Sequence, residues 1–112
     1  MQNSPTHSAK KLLKDCGSSL DAASFLNGLI LFGIIERIEY LSTTGSGEIK
    51  HYLKIKDETL EYGINASSGF HEFKTEPRFY LEKFPELIVI SCKSLLEEAV
   101  KISSKSDSAN PL

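Results

Sequence analysis

Apolar and polar residues alternate with the period of a β-strand in the middle of the chain. Two such runs, Ile34–Leu41 and Glu48–Lys56, are joined by the polar, glycine-bearing segment Ser42–Gly47. Two β-rich runs bridged by a few turn residues with glycine are typical of a hairpin. In the returning run, every second residue is expected on the inward face: Ile49, His51, Leu53 and Ile55. We therefore predict a β-hairpin with a half-buried second strand, in which His51 is packed and hydrogen-bonded.

Helical spacing of apolar residues flanks this hairpin. It predicts one helix from His7 to Cys16, ended by Gly17, and a second, more apolar helix from about Leu20 to Leu31, in which Leu26 is expected to be fully buried. After the hairpin the pattern predicts a short helix at Asp57–Tyr62, a left-handed cap at Gly63, an irregular loop at Asn65–Pro77 and a final helix from Pro85 to Ser103. A helix, a glycine-containing turn and a second helix are typical of a helix-turn-helix or of any αα-hairpin.

The final helix has more apolar residues than one buried face needs. They cover much of its circumference: Leu87, Ile88, Val89, Ile90, Cys92, Leu95, Leu96, Ala99 and Val100. Such a helix either lies deep in a core or pairs with a partner chain. We expect a homodimer, with Ile90, Leu96 and Val100 as protein-interaction residues.

The length of 112 residues fits one domain with a core of its own. We expect a flexible N-terminus at residues 1–6, a single domain at 7–102 and a disordered tail at 103–112, where the composition is polar. No secretory leader and no membrane span are expected, which favours a cytoplasmic protein.

Charge and titratable residues narrow the function classes. The net charge is −2, whereas dedicated nucleic-acid-binding domains are often basic. The two cysteines, Cys16 and Cys92, are expected to be buried core thiols, although they could form one disulfide. The histidines lie too far apart for a zinc motif, and no carboxylate pair or phosphate-binding loop is apparent. We therefore expect no metal, no cofactor and no catalysis.

Basic residues nevertheless recur on the first helix and along the hairpin. A strip of them could contact phosphates: Lys10, Lys11, Lys14, Arg37, Lys50, Lys54 and Lys56. Alternatively, the lysines only keep a helix and an edge strand soluble.

The order of elements resembles the winged-helix class. Several short sequence segments resemble C-terminal domains of phage antirepressors and related mobile-element regulators. The similarity spans roughly residues 8–90. It rests on the segments 8–13 (SAKKLL), 25–27 (FLN), 33–37 (GIIER), 44–47 (TGSG), 54–63 (KIKDETLEYG) and 76–80 (EPRFY). This resemblance implies an α+β, winged-helix-like fold and a regulatory role without a cofactor.

Two functions remain open at this point. The resemblance favours DNA binding in transcriptional control. However, the helix expected to enter the major groove has neither Arg nor Lys, and Asn27 is its only side chain suited to reading bases. The alternative is a protein-binding inhibitor or adaptor, such as an antirepressor that binds a repressor or an anti-CRISPR protein that binds a defence effector. An enzyme is the third and most distant possibility.

Overall fold

The helices and strands form a mixed α+β fold with antiparallel sheets. The computed structural model describes residues 5–42, 47–67 and 75–109, with side chains up to residue 105. In chain order the elements are β1 (Thr6–His7), α1 (Ala9–Asp15), α2 (Ala22–Phe32), β2 (Ile35–Leu41), β3 (Ile49–Ile55), a 3₁₀ helix (Asp57–Tyr62), β4 (Gly63–Ser67), β5 (Thr75–Tyr80), a short 3₁₀ turn (Leu81–Lys83) and α3 (Phe84–Ala109).

Polar caps set the ends of the first two helices. The Ser8 hydroxyl accepts the Lys11 amide at the start of α1, and the Asp21 carboxylate accepts the Ser24 amide at the start of α2. The Ser24 hydroxyl also donates to Asp21 at 2.7 Å, and this hydrogen bond lowers the pKa of the aspartate. Gly33 ends α2 in the left-handed conformation (φ 106°), which glycine adopts at little cost.

The predicted hairpin is present as strands β2 and β3, which pair antiparallel from Ile35↔Ile55 to Leu41↔Ile49. Only its base joins the core. Ile55 is fully buried, whereas His51 and Ile49 farther along the same face are exposed. The expectation that His51 packs inside is therefore wrong, because the strand extends past the body of the domain.

The expected loop at Asn65–Pro77 contains a second sheet, of order β1-β5-β4. Pro77 lies within β5, where it faces Asn65. Because β1 pairs only with Phe79 and Tyr80, β5 has a free edge at Pro77, and the missing amide hydrogen is tolerated there. Gly63 is extended (φ 172°) rather than left-handed, and a Cβ there would lie 2.9 Å from the Cα of Phe79. This glycine therefore allows β4 and β5 to approach closely.

The core lies between the three helices, the hairpin base and β5. Phe25 of α2 contacts Phe79 edge-on at 5.7 Å between ring centroids and Phe84 at 5.6 Å. Leu29 is fully buried, whereas Leu26 is only half-buried at the edge of the core, so the expectation for Leu26 is wrong. Other fully or almost fully buried residues are Leu12, Leu13, Ile34, Ile35, Ile55 and Leu87.

The structured part of the chain extends farther toward both ends than the sequence suggested. Thr6 pairs with Tyr80 in β1, and the Pro5 carbonyl accepts the Leu81 amide at 3.0 Å. At the other end α3 continues to Ala109, so residues 103–109 of the expected disordered tail are helical. Polar composition misled here because Ser and Lys are tolerated on the exposed surface of a helix.

Candidate functional site

The lysines of α1 lie on its solvent side, as its amphipathic pattern predicts. Ala9, Leu12 and Leu13 face the core, and the exposed residues Lys10, Lys11 and Lys14 lie around a shallow depression with Ser8 and Asp15. The Lys11 ammonium group already pairs with the Asp15 carboxylate at 3.0 Å. α1 therefore presents a small cationic surface that is partly neutralised.

The basic residues of the hairpin do not share one face. Arg37 pairs with Leu53 in the strand register, whereas Lys50 pairs with Tyr40 and Lys54 with Glu36. Because side chains alternate across a sheet, Arg37 lies on the opposite face from Lys50 and Lys54. Lys54 is also 3.8 Å from Asp57, and Lys56 is half-buried at the hairpin base. The predicted strip is therefore divided between surfaces, and a flat run of phosphates cannot contact all of it.

Arg37 and Asn27 instead meet in an open cleft of about 600 Å³ between α2, the hairpin and α3. Five apolar and five polar or charged residues line it: Ala23, Ser24, Leu26, Asn27, Ile30, Arg37, His51, Leu53, Leu95 and Glu98. Asn27 is half-buried here, and the Ser24 hydroxyl is used in the cap of α2. The single base-reading side chain expected on α2 thus faces a cleft of its own domain.

α3 has two apolar faces. Phe84, Leu87, Ser91 and Ser94 are buried, and their alternating spacing of three and four residues marks the face toward the domain. About half a turn away lies a second series with similar spacing, which we call the outer stripe: Val89, Cys92, Leu96, Ala99 and Val100. Its three largest members are 53% (Val89), 63% (Leu96) and 56% (Val100) exposed. A shallow groove of about 430 Å³ runs along this stripe beside Ile88 and Lys93.

The outer stripe contains two of the three expected protein-interaction residues. Leu96 and Val100 lie on it, whereas Ile90 is half-buried and packs against the core, so its role in protein interaction stays a prediction. Val89, Cys92 and Ala99 were not among the expected interaction residues, and Val89 is the largest of the three. Its signal was the spacing of residues 89, 92, 96 and 99, which repeats the spacing of the buried face half a turn away.

The exposed apolar surface continues onto the end of α2. Leu31 is 46% and Phe32 59% exposed, and both line shallow clefts beside the middle of α3. Where α3 continues past α2, Ile102 is 60% exposed. Charged residues line the same clefts, among them Lys93, Glu97 and Lys101, so Leu31 and Phe32 lie on a surface of mixed apolar and charged character beside α3.

Cys16 and Cys92 are both free and exposed, so the expectation of buried core thiols is wrong. Cys16 caps the C-terminal end of α1, with its thiol 3.4 Å from the Leu13 carbonyl, and Cys92 lies on the outer stripe. Among the described residues, no group of three His, Cys, Asp or Glu side chains is placed to hold a metal ion. Within the same residues, no helix has both the length and the apolar character to cross a bilayer. His71 and the turn residues Thr43–Ser46 lie outside the described residues.

Comparison with known proteins identifies no relative of this chain, so a function can be inferred only from its sequence and structure. No protein-family model, no curated protein and no solved structure matches this chain.

Proposed function

We propose that this chain is a non-enzymatic, cytoplasmic regulator that acts by binding another protein through the outer side of α3. The observation that carries the proposal is the outer stripe, an apolar face with Val89, Leu96 and Val100 each more than half exposed. Isolated exposed apolar residues are common on protein surfaces, but contiguous apolar patches mark interaction sites. A helix that is apolar on two opposite faces has the pattern of one that packs on two sides.

The same surface extends in a way that suits a partner of protein size. Leu31 and Phe32 at the end of α2 flank the middle of α3. Charged residues border these apolar groups, among them Lys93, Glu97 and Lys101. An apolar centre with a charged rim is the usual composition of a protein interface.

DNA binding is the second candidate. The favourable observation is that Lys10 and Lys14 are exposed on α1 and form no ion pair in the part of the chain that the structure describes. Against it stand the division of the hairpin cations between two faces and the apolar character of the exposed α2 residues Leu31 and Phe32. Neither leucine nor phenylalanine supplies the donors that base reading requires.

The winged-helix interpretation belongs to the proposal as well. The order of elements supports this interpretation. As in that class, a helix (α1), a glycine turn, a second helix (α2) and a hairpin (β2–β3) follow one another. The long C-terminal helix expected with this fold is present as α3, whereas the three-stranded sheet is an addition that the resemblance did not anticipate. A phage or mobile-element regulator of the antirepressor or anti-CRISPR type fits a small domain that works by contact rather than by catalysis.

A DNA titration separates the two candidates. We expect duplex DNA to bind no more tightly than millimolar at low salt, measured by fluorescence anisotropy. The DNA candidate instead predicts a slope of log affinity against log salt of about −3 to −4 from four phosphate contacts, and a loss of about two units in the Lys50→Ala/Lys54→Ala variant. Such a slope in the wild type, flattened in the variant, would make DNA binding the function.

Capture from nuclease-treated lysate tests the protein-binding proposal directly. We expect the wild type to retain a partner that the Leu96→Glu variant loses, while circular dichroism shows the same fold for both. Lys50→Ala/Lys54→Ala is the matched control, because it changes the hairpin surface and leaves α3 intact. Retention that requires nucleic acid, or that survives Leu96→Glu unchanged, contradicts the proposal.

A further inference from the structure

Four residues of the outer stripe, Val89, Cys92, Leu96 and Ala99, have the same spacing when they are followed from either end. Cys92 and Leu96 each lie two residues from Ser94, and Val89 and Ala99 each lie five residues from it. A two-fold axis near Ser94 that turns one helix antiparallel to another therefore brings these four stripe residues opposite one another, and it brings Val100 opposite Ile88, which borders the stripe. This is the self-complementarity that a two-fold symmetric interface requires.

Side-chain sizes favour the antiparallel arrangement. It sets Leu96 against Cys92 of the second copy, and Val89 against Ala99 of the second copy, so each layer combines a larger with a smaller side chain. A parallel pair in register would instead set Leu96 against itself and Ala99 against itself, which leaves layers of unequal volume. Interiors of native density require layers that are evenly filled.

The charged residues at the edge of the stripe also favour the antiparallel arrangement. Lys93 and Glu97 lie on the same flank of the stripe, and neither takes part in an ion pair among the described residues. The two-fold axis at Ser94 places Lys93 of each copy two positions along the helix axis from Glu97 of the other, and it also places the two Lys93 residues two positions apart. The flank therefore combines two attractive contacts with one repulsive contact. In a parallel pair this flank meets the other flank, which carries the apolar residues Ile88 and Leu95.

We propose that a second copy of this chain docks on the outer stripe, with its α3 antiparallel to the first and the two-fold axis near Ser94. This inference rests on the proposed protein-binding role of α3 and names the occupant of that surface. The domain body of each copy lies on the far side of its own helix, because Phe84, Leu87, Ser91 and Ser94 face away from the stripe. The order across the dimer is therefore domain, α3, second α3, second domain.

Light scattering over 1 to 200 µM protein tests for the dimer. We expect a mass of twice 12.4 kDa for the wild type at the upper concentrations. Leu96→Glu should be monomeric throughout, with an unchanged circular dichroism spectrum. Ile102→Glu is the matched control, since Ile102 is similarly exposed (60% against 63%) but lies outside the stripe, and it should remain dimeric. A wild type that is monomeric at 200 µM overturns the proposal.

Charge reversal tests the orientation. Lys93→Glu should raise the dissociation constant of the dimer about fivefold to tenfold, because two ion pairs become like-charge contacts. Adding Glu97→Lys in the same chain should restore the wild-type value. A parallel dimer predicts no response to either change.

Thiol cross-linking fixes the register, with Cys16→Ser as the background to silence the other thiol. The antiparallel register places the two Cys92 residues too far apart for a disulfide, but it places Cys92 opposite position 96. Mild oxidation of Cys16→Ser/Leu96→Cys should give a covalent dimer linked from residue 92 to residue 96, and Cys16→Ser alone should stay uncoupled. Efficient Cys92–Cys92 coupling would overturn this register.

The two proposals fail separately. A monomeric wild type that still captures a lysate protein, and loses it in Leu96→Glu, removes the second copy and leaves the protein-binding function standing. A dimer with the DNA salt dependence described above retains the second copy and removes protein binding as the main function.

Discussion

Gly28 of α2 and Ser91 of α3 bring the two helices close together. The Ser91 hydroxyl donates to the Phe25 carbonyl at 2.7 Å, and both Gly28 and Ser91 are buried. A Cβ at position 28 would lie 2.6 Å from the Ser91 carbonyl oxygen and 2.9 Å from its Cα. The position thus excludes any side chain, and this contact sets how α3 lies on the domain.

We expect Gly28→Ala to destabilise the domain by about 1–3 kcal/mol, because the added methyl forces two backbones apart. Ser91→Ala in the same chain should not recover that loss, since the backbone contacts of residue 91 remain. Urea titration measures both. Gly17→Ala is a useful comparison: nothing lies within 4 Å of the added methyl, so its cost comes only from the left-handed φ of 72°. Full recovery in the double variant contradicts a backbone origin.

At the scale of elements, local sequence patterns predicted the helices and strands that local interactions determine. The hairpin of β2 and β3 followed from alternation and a glycine-bearing connection, and α2 from the helical spacing of its apolar residues. Strands β4 and β5 were missed because Pro77 and Gly63 weaken a strand pattern. The free edge at one and the close backbone approach at the other are properties of the assembled sheet.

The candidate site was predictable only in part, for a similar reason. Periodicity identified α3 as apolar on more than one face, but which face the domain covers depends on where α2 crosses it. For that reason Ile90, which was expected to be an interaction residue, packs on the core. Cys92, which was expected in the core, is exposed. Likewise, the charge of Arg37 was visible in the sequence, while its separation from Lys50 required the strand register.

Asn65 fastens the two sheets to one another. Its side-chain oxygen accepts the Ile55 amide at 2.7 Å, and its side-chain nitrogen donates to the Ile55 carbonyl at 3.0 Å. The side chain thereby takes the place of a neighbouring strand at the end of β3. The base of the hairpin, which lines the cleft, is held by this pair of bonds.

We expect Asn65→Ala to cost about 1–3 kcal/mol in unfolding free energy, because it leaves both polar groups of a buried backbone position without their partner. Asn65→Asp is the informative companion, since it retains the acceptor for the amide and loses the donor to the carbonyl, and it should also destabilise. Denaturant titration gives both values. A loss below about half a kcal/mol for the alanine variant would show that water replaces these bonds freely.

At the scale of the whole molecule, α3 is longer than the surface beneath it. Every residue from Ala99 to Lys105 is exposed, including Ile102. A helical segment without tertiary packing is marginal in water, because isolated helices shorter than about 12–15 residues gain too little from their own hydrogen bonds. The proposed pairing of the outer stripe would supply packing for this segment and so connect assembly to local order.

Amide hydrogen exchange followed at several protein concentrations should reveal this connection. We expect amides of residues 99–105 to exchange quickly when the protein is dilute and more slowly as dimers form, because opening of this segment then disrupts the pair. Amides of residues 87–94, which pack on α2, provide the internal reference and should stay protected throughout. In Leu96→Glu the 99–105 amides should exchange quickly at every concentration, whereas in Ile102→Glu they should follow the wild type. Exchange at residues 99–105 that is slow and independent of concentration would mean that the segment is held by its own domain, and the link between pairing and local order would be wrong.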